Sequence, residues 1–178
     1  MGGNAIKGAE RLTRVVYLKI CDLLVSCTSK YYNSGIMFTL PVKSKESFGD
    51  IDCIVVGRIP DFPGMQIVRN GPSFTSIGFE YEGSIYQVDV FSVKTVEEQR
   101  HLRSYLSYGI FGMCVGISMK VYDLRYGVNG LEMKVAEGIY LKLSSNAKDI
   151  FDFLGLDIDV FEQGFKDVTA DTTNRAGQ

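Results

Sequence analysis

The chain has 178 residues, of which 46% are hydrophobic and 22% charged, a composition typical of one folded domain with an ordinary buried core. Its 19 Lys and Arg against 21 Asp and Glu give a formal charge of −2, which argues against a protein held on nucleic acid mainly by a basic surface. No apolar stretch reaches about 18 residues without a charge and no signal peptide opens the sequence, so we expect a soluble, cytoplasmic protein with no membrane partner.

The cysteines point to a reduced protein. There are four of them, none forms a C-x-x-C pair, and one histidine accompanies them. Zinc sites usually need closely spaced ligand pairs, so we expect no zinc. Most of the four lie in apolar stretches, where a free cysteine packs as a small core residue. An intracellular protein fits this usage.

The first part of the chain predicts one helix followed by two strands. Residues 9–26 carry apolar side chains at helical spacing, which is typical of an amphipathic helix. Residues 36–40 form an apolar run that Pro41 ends, and we expect a short strand there. A second strand is predicted over residues 51–56, where β-branched side chains dominate.

Three more strands are predicted in an antiparallel meander. They cover residues 65–68, 73–81 and 84–93, which are apolar or alternating and are bounded by turn signals. The dipeptides Asn70-Gly71 and Glu82-Gly83 are typical of tight turns, so we expect the chain to reverse at both.

Two helices are predicted after the meander. Thr95 with Glu98 three residues later is a capping box, which starts a helix running to about residue 104. Residues 105–124 are apolar and include Gly109, Gly112 and Gly116. We expect a buried helix there, kinked or closely packed at these glycines.

The C-terminal part predicts a hairpin, a short helix and a polar tail. Its elements are two strands, a helix and a last apolar turn, at residues 131–135, 139–143, 147–154 and 160–165. Ser144 or Ser145 is expected to cap the helix, and Gly155 to end it. Residues 166–178 have too little apolar content to fold, so we expect one α+β domain over residues 1–165 and a disordered tail.

Two carboxylates stand at the mouth of the strand predicted over residues 51–56. Asp50 and Asp52 are two positions apart, so in a strand their side chains share one face. Two adjacent acids repel each other, and a fold keeps them readily only with a cation between them or water over both. We interpret the pair as half of a Mg²⁺ site, because Mg²⁺ takes oxygen ligands.

A third carboxylate, Asp89, interrupts the apolar strand predicted over residues 84–93. Asp is a poor strand former, and an ionised carboxylate among apolar neighbours is costly to bury alone. A surface-facing Asp on a half-exposed strand is the simpler alternative. Because the chain already holds a strand-borne acid pair short of ligands, we predict that Asp50, Asp52 and Asp89 form one metal site.

Two other groups invite a functional interpretation. His101 lies on a predicted helix beside Arg100 and Arg103, and we expect a solvated residue rather than a general base. Aromatic residues at strand spacing, Phe74 and Phe91 among them, are most simply core residues. Stacking of nucleic-acid bases is the alternative for them.

A family resemblance rests on residues 45–52, Lys-Glu-Ser-Phe-Gly-Asp-Ile-Asp, followed by an apolar strand and a lone Asp in a later strand. This pattern resembles the palm of the DNA polymerase beta-like nucleotidyltransferase superfamily, and is most similar to the family X polymerases. Three other segments resemble small phage-encoded nucleotidyltransferases: the Gly-Gly-Asn-Ala opening, residues 105–131 and residues 153–165. The acid triad is the specific part of the resemblance.

The resemblance implies a mixed palm-like sheet with helices packed on it and a small C-terminal hairpin and helix extension. It also implies an enzyme that moves a nucleoside monophosphate from a nucleoside triphosphate, such as ATP, to a hydroxyl acceptor. Two Mg²⁺ ions would assist, and pyrophosphate would leave. Asp50, Asp52 and Asp89 would hold the metals and carry the catalysis.

The resemblance also implies a triphosphate grip at Lys43, Ser44 and the Gly49 backbone. The superfamily usually has a Gly-Ser pair upstream of the acids, and here that place is Thr39-Leu40, followed by Pro41, which donates no N–H. Either Gly2, Gly3 and Asn4 supply the missing donors from the N-terminus, or triphosphate binding is weak.

Two functions of different classes follow. The first is the nucleotidyltransferase, whose acceptor is a nucleic-acid 3′ end, a protein or a small molecule. The chain lacks room for the DNA-gripping accessory domains of templated polymerases, so we favour end addition or protein modification. The second is a binding or assembly protein that keeps the fold but has weakened or lost the activity.

Overall fold

The computed structural model describes residues 4–29, 35–59 and 66–164. The α-helices in these residues are α1 (Arg14–Thr28), α2 (Val96–Leu106), α3 (Phe111–Met119), α4 (Ala147–Phe153) and α5 (Ile158–Gln163). The strands are β1 (Leu12–Thr13), β2 (Met37–Phe38), β3 (Ser47–Phe48), β4 (Asp50–Val56), β5 (Gln66–Gly71), β6 (Phe74–Tyr81), β7 (Ser84–Val93), β8 (Leu124–Gly127), β9 (Gly130–Ala136) and β10 (Ile139–Ser144). The structure is therefore α+β, as the sequence predicts.

The main sheet has five strands in the order β2-β4-β7-β6-β5. Strands β5, β6 and β7 form the predicted antiparallel meander. Strand β4 joins it at the far side of β7 and runs parallel to β7, while β2 pairs antiparallel with β4. The sheet is therefore mixed, and its one parallel pair lies at its centre.

The two turns predicted in the meander have different outcomes. Glu82 and Gly83 form the β6–β7 turn, both with positive φ (51° and 82°), as a tight turn between twisted strands requires. The prediction at Asn70-Gly71 is wrong, because both residues belong to β5 and Gly71 pairs with Phe74. The chain reverses two residues later, at residues 72–73.

Helix α1 begins later than predicted, at Arg14 rather than near residue 9. The side chain of Thr13 accepts a hydrogen bond from the Val16 N–H and caps the helix. Upstream of the cap, Leu12 pairs with Phe48, and the Glu10 N–H donates to the Ile85 carbonyl. The segment before the helix is therefore held against the start of β7 and against β3.

One face of the main sheet is apolar and packs on α1. Tyr17, Ile20 and Leu24 of the helix are buried against residues of β4, β6 and β7, namely Ile51, Cys53, Val55, Ile77, Val88 and Val90. Because side chains alternate along a strand, the residues between them point to the opposite face. That second face carries Asp50, Asp52 and Asp89.

The prediction of one buried helix over residues 105–124 is wrong. Helix α2 ends at Leu106, and Tyr108 and Gly109 both have positive φ (57° and 71°), which no continuous helix allows. Helix α3 follows, and Gly112 is its one buried residue. The stretch then enters β8 at Leu124.

A second sheet of three antiparallel strands, in the order β8-β9-β10, includes the predicted hairpin. Leu124, Tyr126 and Leu131 pack on Ile150 of α4 to form its own core. Asn146 caps α4 in place of the predicted Ser144 or Ser145, because its side chain accepts from two N–H groups of the first turn. Gly155 ends that helix with a φ of 67°.

Helix α5 occupies most of the predicted last apolar turn, and the predicted tail lies outside the described residues. A small third core surrounds α5, where Tyr108, Phe151 and Phe161 are buried together. In the described part of the chain, no helix has the length and apolarity needed to cross a bilayer.

Candidate metal and nucleotide site

The sheet places the three predicted acids side by side. Asp52 and Asp89 are register partners on the neighbouring parallel strands β4 and β7, and Asp50 precedes Asp52 by two residues. Neighbouring strands lie about 4.8 Å apart, and partners in register point to the same face. The three carboxylates therefore start from adjacent positions on one face of the sheet.

Gln87 completes this polar array and ties it to the start of the chain. It is the register partner of Asp50, and its amide nitrogen donates to both carboxylate oxygens of Asp89 at 3.0 and 3.2 Å. Its amide oxygen accepts from the N–H groups of Ala5 and Ile6 at 2.7 and 3.2 Å. One side chain thus connects the N-terminal segment to the acids.

The carboxylates do not converge as metal ligands in this conformation. Among residues 4–29, 35–59 and 66–164, no group of three or more His, Cys, Asp or Glu side chains is arranged to hold a metal ion. The hydrogen bonds of Asp89 give a physical reason, because Gln87 and Ser76 hold its carboxylate. Asp89 is also 8% exposed, whereas Asp50 and Asp52 are half-buried.

The negative charges of the acids are compensated only in part by nearby positive charge. Burial, followed by the charges of Asp50 and Asp89, raises the pKa of Asp52 to about 7, and the nearby Lys45 ammonium lowers it in part. Burial also raises the pKa of Asp89, against hydrogen bonds from Ser76 and Gln87 that lower it. Carboxylates with raised pKa values and oxygen donors on one face fit a hard divalent cation such as Mg²⁺.

A cleft of about 460 Å³ opens beside Asp50 and Asp52. Its lining includes Arg11 and Lys45, so both signs of charge face one space. Small-molecule pockets have volumes of about 300–1,000 Å³, and the volume of this cleft lies within that range. Asp89 is not among the lining residues, which agrees with its burial.

Basic side chains hold the loop before β4. The Arg14 guanidinium donates to the Lys43 and Lys45 carbonyls at 2.9 and 3.2 Å. Arg11 donates to the hydroxyl and the carbonyl of Ser47 at 2.9 and 3.3 Å. The Lys45 ammonium lies 4.9 Å from the centre of the Phe48 ring, at the cleft. These contacts present positive charge next to the acids.

Of the predicted phosphate-binding residues around the acids, only one lines the cleft. Gly49 lines the cleft, but Lys43 and Ser44 are exposed and are not in its lining. Lys43 extends toward the end of α5, since a Cβ built on Gly164 would lie 3.0 Å from its Cε. Sequence reasoning missed Lys45, which stands in the same segment, two residues nearer the acids.

Residues 39–41, upstream of the acids, have no backbone N–H to spare. The Thr39 N–H donates to the Asp52 carbonyl at 3.2 Å, and the Leu40 N–H donates to the Ser107 hydroxyl at 2.8 Å. Pro41 has no N–H. Where the resemblance would place a Gly-Ser grip, the chain therefore has N–H groups that already have partners.

The predicted N-terminal donors are described in part. Asn4 is exposed and directly precedes the pair of N–H groups that bind Gln87. Gly2 and Gly3 lie outside the described residues. The contact of Ala5 and Ile6 with Gln87 places the start of the described chain next to the acid face.

The two remaining candidates are His101 and the pair of aromatic residues. His101 is buried, with 1% exposure, and its Nε2 lies 2.7 Å from the Gly127 carbonyl, so the expectation of a solvated residue is wrong. Phe74 and Phe91 stack on each other with centroids 4.6 Å apart and line a second cleft of about 440 Å³. Both phenylalanines are half-buried rather than core residues.

Comparison of the chain with protein-family models and with curated protein sequences finds no match. The resemblance to nucleotidyltransferases therefore rests on the residues of this chain. Its acid triad and cleft are the features on which a function is proposed.

Proposed function

We propose that the chain is a metal-dependent nucleotidyltransferase that transfers a nucleoside monophosphate from a nucleoside triphosphate to a hydroxyl acceptor. The observation that carries this proposal is the register of Asp52 with Asp89 on parallel strands, with Asp50 on the same face. An α+β fold with a mixed sheet agrees with it, as does the cleft that contains two of the acids and two basic residues.

The three aspartates are the residues that would hold Mg²⁺. Asp50 and Asp52 already face the cleft, and Asp89 would join them once its carboxylate leaves the Gln87 amide. Bound Mg²⁺ supplies charge neutralisation on the triphosphate and a lower pKa for the acceptor hydroxyl. The raised pKa of Asp52 is the electrostatic sign that this site favours a cation.

The chain's own side chains would bind the triphosphate and take up a proton. Lys45 and Arg11 face the cleft and would attract the β- and γ-phosphates. The acceptor oxygen forms a bond to the α-phosphorus, and the bond from that phosphorus to the pyrophosphate oxygen breaks. The hydroxyl proton passes to Asp89, whose raised pKa suits a proton acceptor.

The aromatic pair favours a nucleic-acid end among the possible acceptors. Phe91 follows Asp89 by two residues on β7, so it lies on the same face, about 7 Å along the strand. Phe74 on the neighbouring strand β6 is its register partner, and Lys94 and Lys142 line the same cleft. Half-buried aromatic rings beside lysines suit a stacked base and its phosphate.

A binding or assembly protein without catalysis is the second candidate function. It is favoured by the upstream segment, where the Thr39 and Leu40 N–H groups are already bonded and Pro41 has none. The hydrogen bonds that keep Asp89 on Gln87 also favour it. Such a protein would have no need of the uncompensated acids at Asp50 and Asp52.

Ligand-dependent thermal stability is the first test. The protein would be heated with Mg²⁺, with each nucleoside triphosphate, and with both together. We expect a rise in the unfolding midpoint that requires the metal and the nucleotide together, because binding to the folded state stabilises it. If no metal and nucleotide pair stabilises the protein, the transferase proposal is wrong.

Transfer itself is the second test, with a label on the α-phosphate and single-stranded oligonucleotides, proteins or the chain itself as acceptors. We expect labelled oligonucleotide, and we expect Asp89→Asn to abolish labelling while the unfolding midpoint stays close to that of wild type. Asp22→Asn is the matched control, since Asp22 is an exposed acid on α1. An Asp89→Asn variant that still transfers label would refute the assignment of Asp89.

A further inference from the structure

Strand β10 is an open edge of the second sheet. It pairs with β9 on one side and, within the described ranges, has no strand on the other. An unpaired edge offers a row of N–H and C=O groups to another strand, and most proteins protect such edges with charges, proline or a covering element. Strand β10 contains no proline, and Lys142 is its single charged residue. Its register with β9 shifts between Ile139 and Tyr140 and between Lys142 and Ser144, so Tyr140–Lys142 is the regular part of this edge.

The apolar face of the β9–β10 hairpin extends beyond the core that it helps to build. Nearer the helices, Leu124, Tyr126 and Leu131 of this sheet are buried. Farther out, five large side chains are exposed at 37–59%: Met133, Val135, Ile139, Leu141 and Leu143. Exposed apolar patches of this kind are typical of interaction surfaces.

The opposite face of the hairpin is polar and already paired. Arg125 forms a salt bridge with Glu132 at 2.7 Å, and its guanidinium lies 3.8 Å from the centre of the Tyr140 ring. Lys134 pairs with Glu137 at 3.1 Å. The sheet is thus amphipathic, so the side that lacks a partner is the apolar side and the strand edge beside it.

We propose that β10 pairs with β10 of a second copy of this chain, antiparallel about a two-fold axis at Leu141. In a symmetric antiparallel pair, opposed residues share a face, so the axis passes through one residue of the strand. An axis at Leu141 sets Ile139 opposite Leu143, and Tyr140 opposite Lys142. Within the regular part of β10, Leu141 then faces Leu141 and each Lys142 faces a Tyr140 ring. The outer pair, Ile139 with Leu143, lies at the two shifts of register.

The alternative axes are less favourable. An axis at Lys142 would place the two lysines directly opposite each other, and like charges at that position destabilise a strand pair. An axis at Tyr140 would place Lys142 opposite Gly138 in the hairpin turn, beyond the end of the strand. Axes at Ile139, Leu143 or Ser144 would oppose three residues of the strand or fewer. The sequence of β10 is therefore most self-complementary about Leu141, which commits the surface to a second copy rather than an unrelated partner.

The paired edges would join two three-stranded sheets into one sheet of six strands. The exposed side chains of both copies would then form one apolar patch across the axis. The proposed dimer shares one residue, Lys142, with the proposed acceptor cleft and none with the acid site, so it can form whether or not the chain is a transferase.

A designed disulfide tests the register. In a background with the exposed Cys27 and Cys114 changed to serine, we would introduce Leu141→Cys or, as the matched control, Lys142→Cys. Residues on the axis have Cα atoms about 4.5–5.5 Å apart, within disulfide range, whereas the two copies of residue 142 would be about 8 Å apart. Under oxidised glutathione we expect a covalent dimer from Leu141→Cys and none from Lys142→Cys. Equal cross-linking of both, or of neither, would overturn the register.

Sedimentation equilibrium tests the dimer itself. We expect the full chain to be dimeric at high micromolar concentration and Leu141→Lys to be monomeric, with an unchanged circular dichroism spectrum. Ile117→Lys, on the exposed apolar surface of α3, is the control and should remain dimeric. A monomeric wild type, or a dimer that Ile117→Lys breaks and Leu141→Lys does not, would overturn the proposal.

Discussion

The two sheets pack in the same way but leave residues of opposite polarity uncovered. Each buries one apolar face under helices, α1 in the main sheet and α4 in the second. The main sheet keeps acids on its other face, where burial and mutual repulsion make them costly. The second sheet leaves apolar side chains in water at its outer end. The first departure points to chemistry and the second to association.

The largest expected effect separates these two roles. Asp52→Asn should lower transfer by about 1,000-fold or more, a loss of about 4 kcal/mol in transition-state stabilisation, and should leave the dimer intact. Leu141→Lys should break the dimer and leave the rate of transfer per chain unchanged. Labelled transfer and sedimentation would be measured on both variants. If each variant impaired both properties, the two regions would not be independent.

Substitution of large side chains by alanine in the second sheet should show where its core ends. Leu131→Ala should lower the free energy of unfolding by about 2–5 kcal/mol, because Leu131 is 2% exposed and its loss leaves a cavity. Leu141→Ala, at 52% exposure, should lower it by about 0.5 kcal/mol or less in dilute, monomeric protein. Urea unfolding would measure both. Similar losses would mean that Leu141 already packs within one chain.

The acid site should be less stable than a neutral version of itself. The pKa of Asp52 is raised from 3.8 to about 7 by burial and by Asp50 and Asp89, so between those pH values folding takes up a proton. The free energy of unfolding therefore falls as the pH rises through this window. Asparagine is neutral at every pH, so Asp52→Asn should gain stability over wild type as the pH rises.

Thermal unfolding without metal would measure this gain. We expect the midpoint of Asp52→Asn to exceed that of wild type by about 4–8 °C near pH 8, since 1 kcal/mol moves the midpoint by about 2–4 °C in chains of this size. Near pH 4 the two midpoints should coincide. An Asp52→Asn variant that is less stable than wild type near pH 8 would show that the carboxylate is structural.

A more local effect is expected at Gln87. Gln87→Met should lower the free energy of unfolding by about 1–2 kcal/mol, because the Ala5 and Ile6 N–H groups lose their acceptor. Hydrogen exchange would show faster exchange at these two positions. Gln99→Met, which removes bonds to the Gly35 and Ile54 carbonyls, is the matched control and should not alter exchange there.

Local signals in the sequence predicted much of the fold. Helix α4, the β9–β10 hairpin and the Glu82-Gly83 turn follow from apolar spacing, turn residues and the glycine that ends α4, which act within a few positions. The prediction for residues 105–124 was wrong because an apolar composition predicts a buried segment, even where the side chains of that segment are exposed. Their break at Tyr108 also has no strong sequence signal, since tyrosine rarely adopts positive φ.

The sequence predicted which residues form the candidate site better than it predicted how they are arranged. The spacing of Asp50 and Asp52 indicated a shared face, and Asp89 stood out by its residue type. The parallel register between them depends on long-range pairing that no local signal specifies. Lys45 rather than Lys43 faces the cleft because of the turn at residues 43–44, whose side-chain directions follow from tertiary contacts such as those of Arg14.

The parallel pair of β4 and β7 has a consequence for the order of folding. Strands β5 and β6 lie between them in the chain, so the meander can form from neighbouring segments, whereas β4 must close a long loop before it pairs. The acids meet only at that late step, and their repulsion opposes it. We therefore expect a divalent cation at the acids to act mainly on the lifetime of the folded state, slowing the detachment of β4 more than it speeds the first collapse.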